Sequence, residues 1–386
     1  MVQQVDIDGP LVSGFALSEF RRLVVKVGSS LLIDADGNVH RRWLEGFAED
    51  IATLQGDGHQ VLVVSSGAIA IGSTILDINK RRARLEDLQA AAAAGQVQLV
   101  HAYQEALGLH GIAAAQILLT PEDTENRRRF LNARGTLEKL LERAVIPVIN
   151  ENDTVATEEI CYGDNDRLAA RVAQMVMADA LLLLSDVDGL YTADPGSDTA
   201  AEHIPEVRKI TDDVQRMAGA TRSDIGSGGM ATKVQAARIA THAGCSTVIA
   251  CGAIERPIKA LAAGGRCTIF RAEGSPATAR KQWLAGVLDV RGELRIDDGA
   301  GDALNNGNSL LPVGVVDVAG NFRRGDVVTL VNCAGRELGR GLAEYSDEEA
   351  RRLAGCRSEQ IEERLGYRGR SVMVHRDELV LFDDDR

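Results

Sequence analysis

Two lysines stand beside glycine-rich turns in this chain: Lys26 in Lys26-Val27-Gly28-Ser29-Ser30, and Lys233 closing Gly226-Ser227-Gly228-Gly229-Met230-Ala231-Thr232-Lys233. Glycines let a backbone approach a ligand closely, and a nearby lysine offers a cation to any anion held there. A third turn, Ser65-Ser66-Gly67-Ala68, follows an apolar run and opens a helical pattern, which presents backbone N–H groups at a helix N-terminus. Carboxylates and amides gather in Asn150-Glu151-Asn152-Asp153-Thr154, in Gly163-Asp164-Asn165-Asp166 and in Ser185-Asp186-Val187-Asp188-Gly189-Leu190-Tyr191. Lysines, N–H groups and Mg²⁺ suit phosphoryl transfer, where positioning and charge neutralisation do most of the catalysis. These loops contain no histidine. A carboxylate acceptor would need no base, because with a pKa near about 4.3 it is already an anion at neutral pH. The pattern is therefore compatible with a kinase that makes an acyl phosphate. Taken singly, each loop also has a structural use, glycines for tight turns and Asp or Asn for helix caps. Their convergence is what points to a site.

The elements that would make them converge can be read from the hydrophobic pattern. Apolar runs at 23–27, 61–64, 112–119, 145–149, 180–184, 247–250 and 268–270 alternate with helical spacing at 43–54, 85–109, 130–141, 168–177 and 231–242. Continuous apolar strands separated by helices predict an α/β fold, a mainly parallel sheet covered on both faces, with ligands at the carboxyl ends of the strands. After Phe270 the texture changes. Residues 271–282 are small, polar and proline-containing, which suits a linker, and short strand-like pieces follow at 286–290, 293–296, 314–318 and 326–331, with a helix at 346–354. The expected organisation is a loose tail over 1–20, an α/β domain over 21–273, a linker over 274–281 and a small β-rich domain over 282–386. A chain ending near Gly274 would then keep a complete α/β core.

Composition narrows the class. The chain has 386 residues, 45% of them apolar, and 43 Lys+Arg against 56 Asp+Glu leave a net charge of −13. Such a charge opposes general binding to nucleic acid or anionic lipid. No apolar run reaches the roughly 18 residues a membrane helix needs. Six scattered cysteines without a CxxC pair, and histidines without paired-ligand spacing, argue against a structural zinc or a disulfide framework, and no protein ligand to a metal can be named. The first twenty residues lack Lys and Arg, unlike a signal or transit peptide, and a cytoplasmic setting is expected. There is no GxxxxGK[ST]. The GxGxx[G/A] match at 226–231 lacks a preceding strand, and His375-Arg376-Asp377 lacks the downstream residues of a protein kinase.

The stretches VVKVGSS (24–30), VSSGAIA (64–70), RFLNARGTL (129–137), PVINENDTVAT (147–157), GDND (163–166), LLLLSDVDGLYTADP (181–195) and GSGGMATK (226–233) resemble the glutamate 5-kinase family. The resemblance implies an amino-acid-kinase three-layer fold and a C-terminal PUA domain, a small β module. It implies that Lys26 and Lys233 bind the ATP phosphates and stabilise the transferring phosphoryl group, with Asp166 orienting them. Ser185, Asp186, Ser227, Gly228, Gly229, Met230, Ala231, Thr232 and Lys233 would bind the nucleotide. Ser66, Asp153 and Asn165 would hold glutamate, the Asp153 carboxylate suiting its ammonium group. It further implies Mg²⁺ on the ATP phosphates, γ-glutamyl phosphate as product in the first step of proline synthesis, and free proline as feedback inhibitor. A dimer or tetramer is expected, with the next enzyme of the pathway as a candidate partner. Val27 and Ser29 stand where relatives often carry Leu and Thr, keeping size and hydroxyl. The alternatives are another amino-acid kinase with an acetylglutamate or aspartate acceptor, disfavoured by the GDND loop, and an RNA-binding protein acting through the tail. The latter is opposed by 20 acidic against 14 basic side chains over 286–386.

Overall fold

The computed structural model describes residues 16–34, 36–80, 82–155, 165–219, 229–286 and 290–382. They form two compact units, one drawn from residues 1–125 and 132–276, the other from 126–131 and 277–386.

The first unit is built on strands β1 (Arg22–Val27), β2 (Gln60–Ser65), β3 (Ala114–Leu119), β4 (Ile146–Glu151) and β5 (Ala180–Ser185), then a two-stranded ribbon of β6 (Leu190–Tyr191) and β7 (His203–Ile204), then β8 (Glu206–Val207), β9 (Ser246–Cys251) and β10 (Cys267–Phe270). Eight of them make one sheet in the order β3-β4-β2-β1-β5-β9-β10-β8. It is parallel throughout except where β10 runs antiparallel to β9. Side chains alternate across it: Leu23, Val25, Val61, Val63, Leu182 and Val248 join one core with Trp43, Phe47, Leu99 and Tyr103. Val24, Leu62, Val64, Leu181 and Leu183 are equally buried and face the other way. Helices Arg41–Gly56 and Leu85–Gly108 cover the first face, and Asn165–Met175 and Met230–His242 the second. Helix Ala68–Ile75 lies so close to Leu85–Gly108 that a Cβ on Gly72 would come 1.6 Å from the Ala91 carbonyl oxygen, and one on Gly95 would come 1.9 Å from that of Ala68. These glycines permit a backbone approach that fixes where the turn after β2 sits.

Register brings the strand ends together. Val27 pairs with Ser65 and with Leu184, and Val64 with Ile149, so the turns after β1, β2, β4 and β5 open on one edge. The chain extends the sheet to one side of β1 through β2, β3 and β4, then returns to its other side at β5. That reversal of strand order is where open parallel sheets place ligands.

The second unit carries a mixed sheet of β11 (Gly292–Ile296), β12 (Val315–Gly320), β13 (Val327–Val331), β14 (Glu337–Leu342) and β15 (Leu379–Leu381), in the order β12-β11-β13-β14-β15. Its main core joins Leu294, Ile296, Val328 and Leu330 to Phe322, Tyr345 and Leu353. A smaller cluster contains Leu284, Val327, Leu342 and Leu131, with Phe130 packed against it.

Several expectations change here. Much of the segment read as a linker is the helix Pro276–Gly286, with Leu284 fully buried. Its polar, small residues supply the exposed faces of that helix. The strand expected at 286–290 does not begin at Gly286, which closes the helix, and 287–289 lie outside the described residues. Within the supposed tail, Leu17–Glu19 forms a 3-10 turn, and Leu17 and Phe20 reach the core. The helix after Ser346 spans Asp347–Leu353 with Ser346 as its N-cap, boxed with Glu349.

Candidate active site

Lys26 is the fifth residue of β1 and shares with Val24 the face that helix Asn165–Met175 covers. There its ammonium meets Asp166, with Nζ 2.5 Å from Oδ1. Lys233, in the first turns of helix Met230–His242, approaches from the other side, with Nζ 3.0 Å from Asp166 Oδ2. The two helices that carry Asp166 and Lys233 pack against each other, which places the three groups without help from loops. Asp166 is fully buried and the lysines nearly so, at 6% and 4% exposure. Burial alone would raise the Asp166 carboxyl, but the two ammonium groups and their hydrogen bonds outweigh it and hold it below the ordinary aspartate range. Its place in the first turn of helix Asn165–Met175 adds the favourable end of the peptide dipoles. Thr232 Oγ1 lies 3.2 Å from Asp166 Oδ2. Two cations share one carboxylate, so the cluster keeps a net positive charge in a water-poor place, as a polyphosphate site requires.

One residue earlier, Asn165 turns toward the end of β2. Its Nδ2 donates to the Ser65 carbonyl at 2.8 Å, to Ser66 Oγ at 2.9 Å and to Asn150 Oδ1 at 2.9 Å. Gly67 follows Ser66 in the left-handed region, φ 110°, which lets helix Ala68–Ile75 start immediately after the turn. Beyond β4, Asp153 opens the 3-10 turn Asp153–Val155. Burial pushes its carboxyl up to about 6. Burial, and then the charge of Asp153, pushes Glu151 up to about 7. Two carboxyls whose burial disfavours ionisation are suited to a cationic ligand group, which would restore their charge.

At the end of β5, Ser185 Oγ donates to Asp186 Oδ1 at 2.9 Å, and the Ser185 carbonyl accepts from Gly252 N–H at 2.6 Å. The Gly252 carbonyl in turn accepts from the Trp43 indole N–H at 2.6 Å, anchoring this corner in the core. Gly229 caps helix Met230–His242 in an extended conformation, followed by Met230, Ala231 and Thr232 in its first turn. Ser227, Gly228, Gly163 and Asp164 lie outside the described residues. The structure thus joins Lys26, Asp166, Thr232 and Lys233 in one cluster and Asn165 with Ser66 in a second, adjacent along the chain at 165 and 166. Sequence reasoning placed Asn150 in a candidate loop but gave it no individual role, and it gave no part to Gln96, whose amide oxygen accepts from Asn150.

Residues 21–251 match the model of the amino acid kinase family, and 292–365 that of the PUA domain. Glutamate 5-kinase 1 of Rhizobium meliloti (strain 1021) is 53% identical over 366 residues, 95% of this chain and 93% of that protein. Glutamate 5-kinase of Rhizobium rhizogenes (strain K84) is 52% identical over 95% of this chain and 94% of its own length. That of Rhodopseudomonas palustris (strain BisB5) is 55% identical over 95% and 97%. The buried lysine–aspartate–lysine cluster falls inside the matched kinase region, and on this identity across both domains the chain belongs to the glutamate 5-kinases of the amino acid kinase family.

Proposed function

We propose that this enzyme transfers the γ-phosphoryl group of ATP to the γ-carboxylate of L-glutamate, giving γ-glutamyl phosphate and ADP, the first step of proline synthesis. The observation that carries the reading is the buried Lys26–Asp166–Lys233 cluster, one residue away from an amide, Asn165, that is tied to Ser66. A carboxylate oxygen of glutamate attacks the γ-phosphorus while the bond to the β-phosphate oxygen breaks. The attacking group is already an anion, so no residue has to remove a proton. In this scheme Lys26 and Lys233 meet the charge that spreads over the phosphoryl oxygens, and Asp166 keeps both ammonium groups aimed at it. Ser185, Asp186 and the 227–233 stretch hold the nucleotide; Ser66, Asp153 and Asn165 hold glutamate. Mg²⁺ arriving with ATP supplies further charge neutralisation on the phosphates. Inhibition by free proline, assembly into a dimer or tetramer, association with the next enzyme of the pathway and a cytoplasmic setting belong to the same proposal and rest on the family resemblance.

The acyl phosphate is reactive, so hydroxylamine should trap it as a hydroxamate that appears only with ATP and glutamate. Folded protein that makes hydroxamate from aspartate or acetylglutamate, but not from glutamate, would sink the assignment.

The carboxyls near the acceptor site give a pH signature. Asp153, held near about 6, binds an ammonium only when ionised, so kcat/KM for glutamate should climb as pH rises from about 5.5 to 7.5. Glu151, near about 7, ionises in the same window and adds to the climb. The substrate's own carboxylates and ammonium do not titrate there. Asp153→Asn should raise KM for glutamate and flatten the rise, while Asn165→Ala should raise KM without flattening it. An unchanged slope in Asp153→Asn would remove Asp153 from the ammonium site.

A further inference from the structure

The amides beneath the acceptor site form a relay whose polarity is set from the backbone. The Glu151 N–H donates to Asn150 Oδ1 at 2.9 Å, which fixes that atom as the oxygen. Asn150 Nδ2 must then be the donor on its other side, and it gives a hydrogen bond to Gln96 Oε1 at 2.8 Å. Asn150 Oδ1 also accepts from Asn165 Nδ2, as does the Ser65 carbonyl, so Asn165 can turn only its oxygen elsewhere. Among the described residues Asn165 Oδ1 is buried without a hydrogen-bond partner. All three amides are nearly inaccessible, at 8%, 2% and 6% for Gln96, Asn150 and Asn165. Gln96 belongs to helix Leu85–Gly108, as does Tyr103, two turns further on, whose hydroxyl donates to Ser65 Oγ at 3.1 Å. One helix face therefore reaches both strand ends that carry the acceptor-site residues.

We propose that Gln96 is a positioning residue for the amino-acid substrate: through Asn150 it holds the Asn165 carboxamide with its oxygen presented as an acceptor for the substrate's ammonium N–H. The inference rests on the glutamate reading of the site. Without Gln96 the buried Asn150 Nδ2 has no acceptor among the described residues, and turning to find one withdraws Oδ1 from Asn165. The relay selects for a donor on the ligand, so it acts on amino acids and not on the same carbon chain without nitrogen.

The test is steady-state kinetics on the full chain with Gln96→Leu, which keeps bulk and removes the acceptor, and Gln96→Glu, which keeps a carboxyl oxygen facing Asn150. Gln96→Leu should raise KM for glutamate about tenfold, with kcat and KM for ATP within about twofold, as expected for one lost buried hydrogen bond felt only in substrate binding. Gln96→Glu should stay within about threefold of the parent, and competitive inhibition by glutarate, which has no ammonium, should be unaffected by either change. In an Asn165→Ala background the effect of Gln96→Leu should disappear, because the two act in series. The proposal is overturned if folded Gln96→Leu keeps its KM for glutamate, if it weakens glutarate equally, or if its effect survives undiminished in Asn165→Ala. Should Gln96→Leu fail to fold, Gln96→Met is read by the same criteria. Loss of glutamate phosphorylation by the parent protein itself would instead strike the functional reading.

Discussion

Alanine at Lys26 or at Lys233 should lower kcat for glutamate phosphorylation by about 10²-fold or more, with a smaller change in the KM values. Both ammonium groups are buried beside Asp166, so solvent entering the vacated space would not supply the lost positive charge. As the phosphoryl group leaves ADP, charge grows on its oxygens and on the bridging oxygen, and a cation fixed in a water-poor site acts mainly on that growth. The double variant should fall by less than the product of the single effects, since each single loss already lets the other lysine and Asp166 reorganise and so includes part of the second effect. Kinetics with saturating ATP and glutamate, read through the hydroxamate assay, decide the matter. Normal kcat in both single variants would mean that the chemistry lies elsewhere.

Asp166→Asn should be the most damaging change for the fold and the chemistry at once. The carboxylate is fully buried and lies against two ammonium groups. Removing its charge leaves two like charges facing each other, and breaking a buried pair in this way costs about 3–5 kcal/mol. With the two ammonium groups left facing each other, the helices holding Asp166 and Lys233 move apart and the cation array is lost. The stability gap between parent and variant has a definite pH dependence. The carboxyl is held below its unfolded value, so its contribution is fully present above the ordinary aspartate range and is lost as pH falls through the lower native value. Denaturant unfolding should therefore give a constant gap around neutrality that closes only in acid. A gap that already closes between about pH 7 and 5 would mean that Asp166 is not the ionised partner of both lysines.

Much of the kinase unit was legible because its central strands are buried on both faces. Nothing in β1, β2 or β5 has to meet water, so the chain writes them as unbroken apolar runs, and the residues that follow each run mark the ligand edge. The loops that carry Lys26 and Ser66, and the polar stretch before the helix that opens at Asn165, could be singled out for that reason, while the role of each residue is what the family resemblance implies. The short strands were not legible. The ribbon of β6 and β7, and β8, have two residues each, too few to carry a period. In β14, Gly339 and Gly341 hide a strand that needs them: a Cβ at 339 would come 2.2 Å from the Val380 carbonyl oxygen, and one at 341 would come 2.4 Å from a Val374 methyl. Gln96 was invisible for a different reason. It lies 54 residues from Asn150 in an alanine-rich helix, and only the folded sheet makes it the neighbour of a substrate loop.

The six residues 126–131 belong to the second unit although the chain on either side of them belongs to the first. During synthesis Phe130 and Leu131 emerge long before Val327 and Leu342, the residues they are to be buried with. At about 5–20 residues per second the wait is on the order of 10–40 s, during which Phe130 and Leu131 lack the later residues of their own cluster. Closing so long a loop also costs little more than closing a shorter one, since the entropy grows only with the logarithm of length. The delay is thus kinetic and not energetic. Expression of residues 1–276 alone would make it permanent, and a chaperone dependence confined to that fragment is its natural consequence.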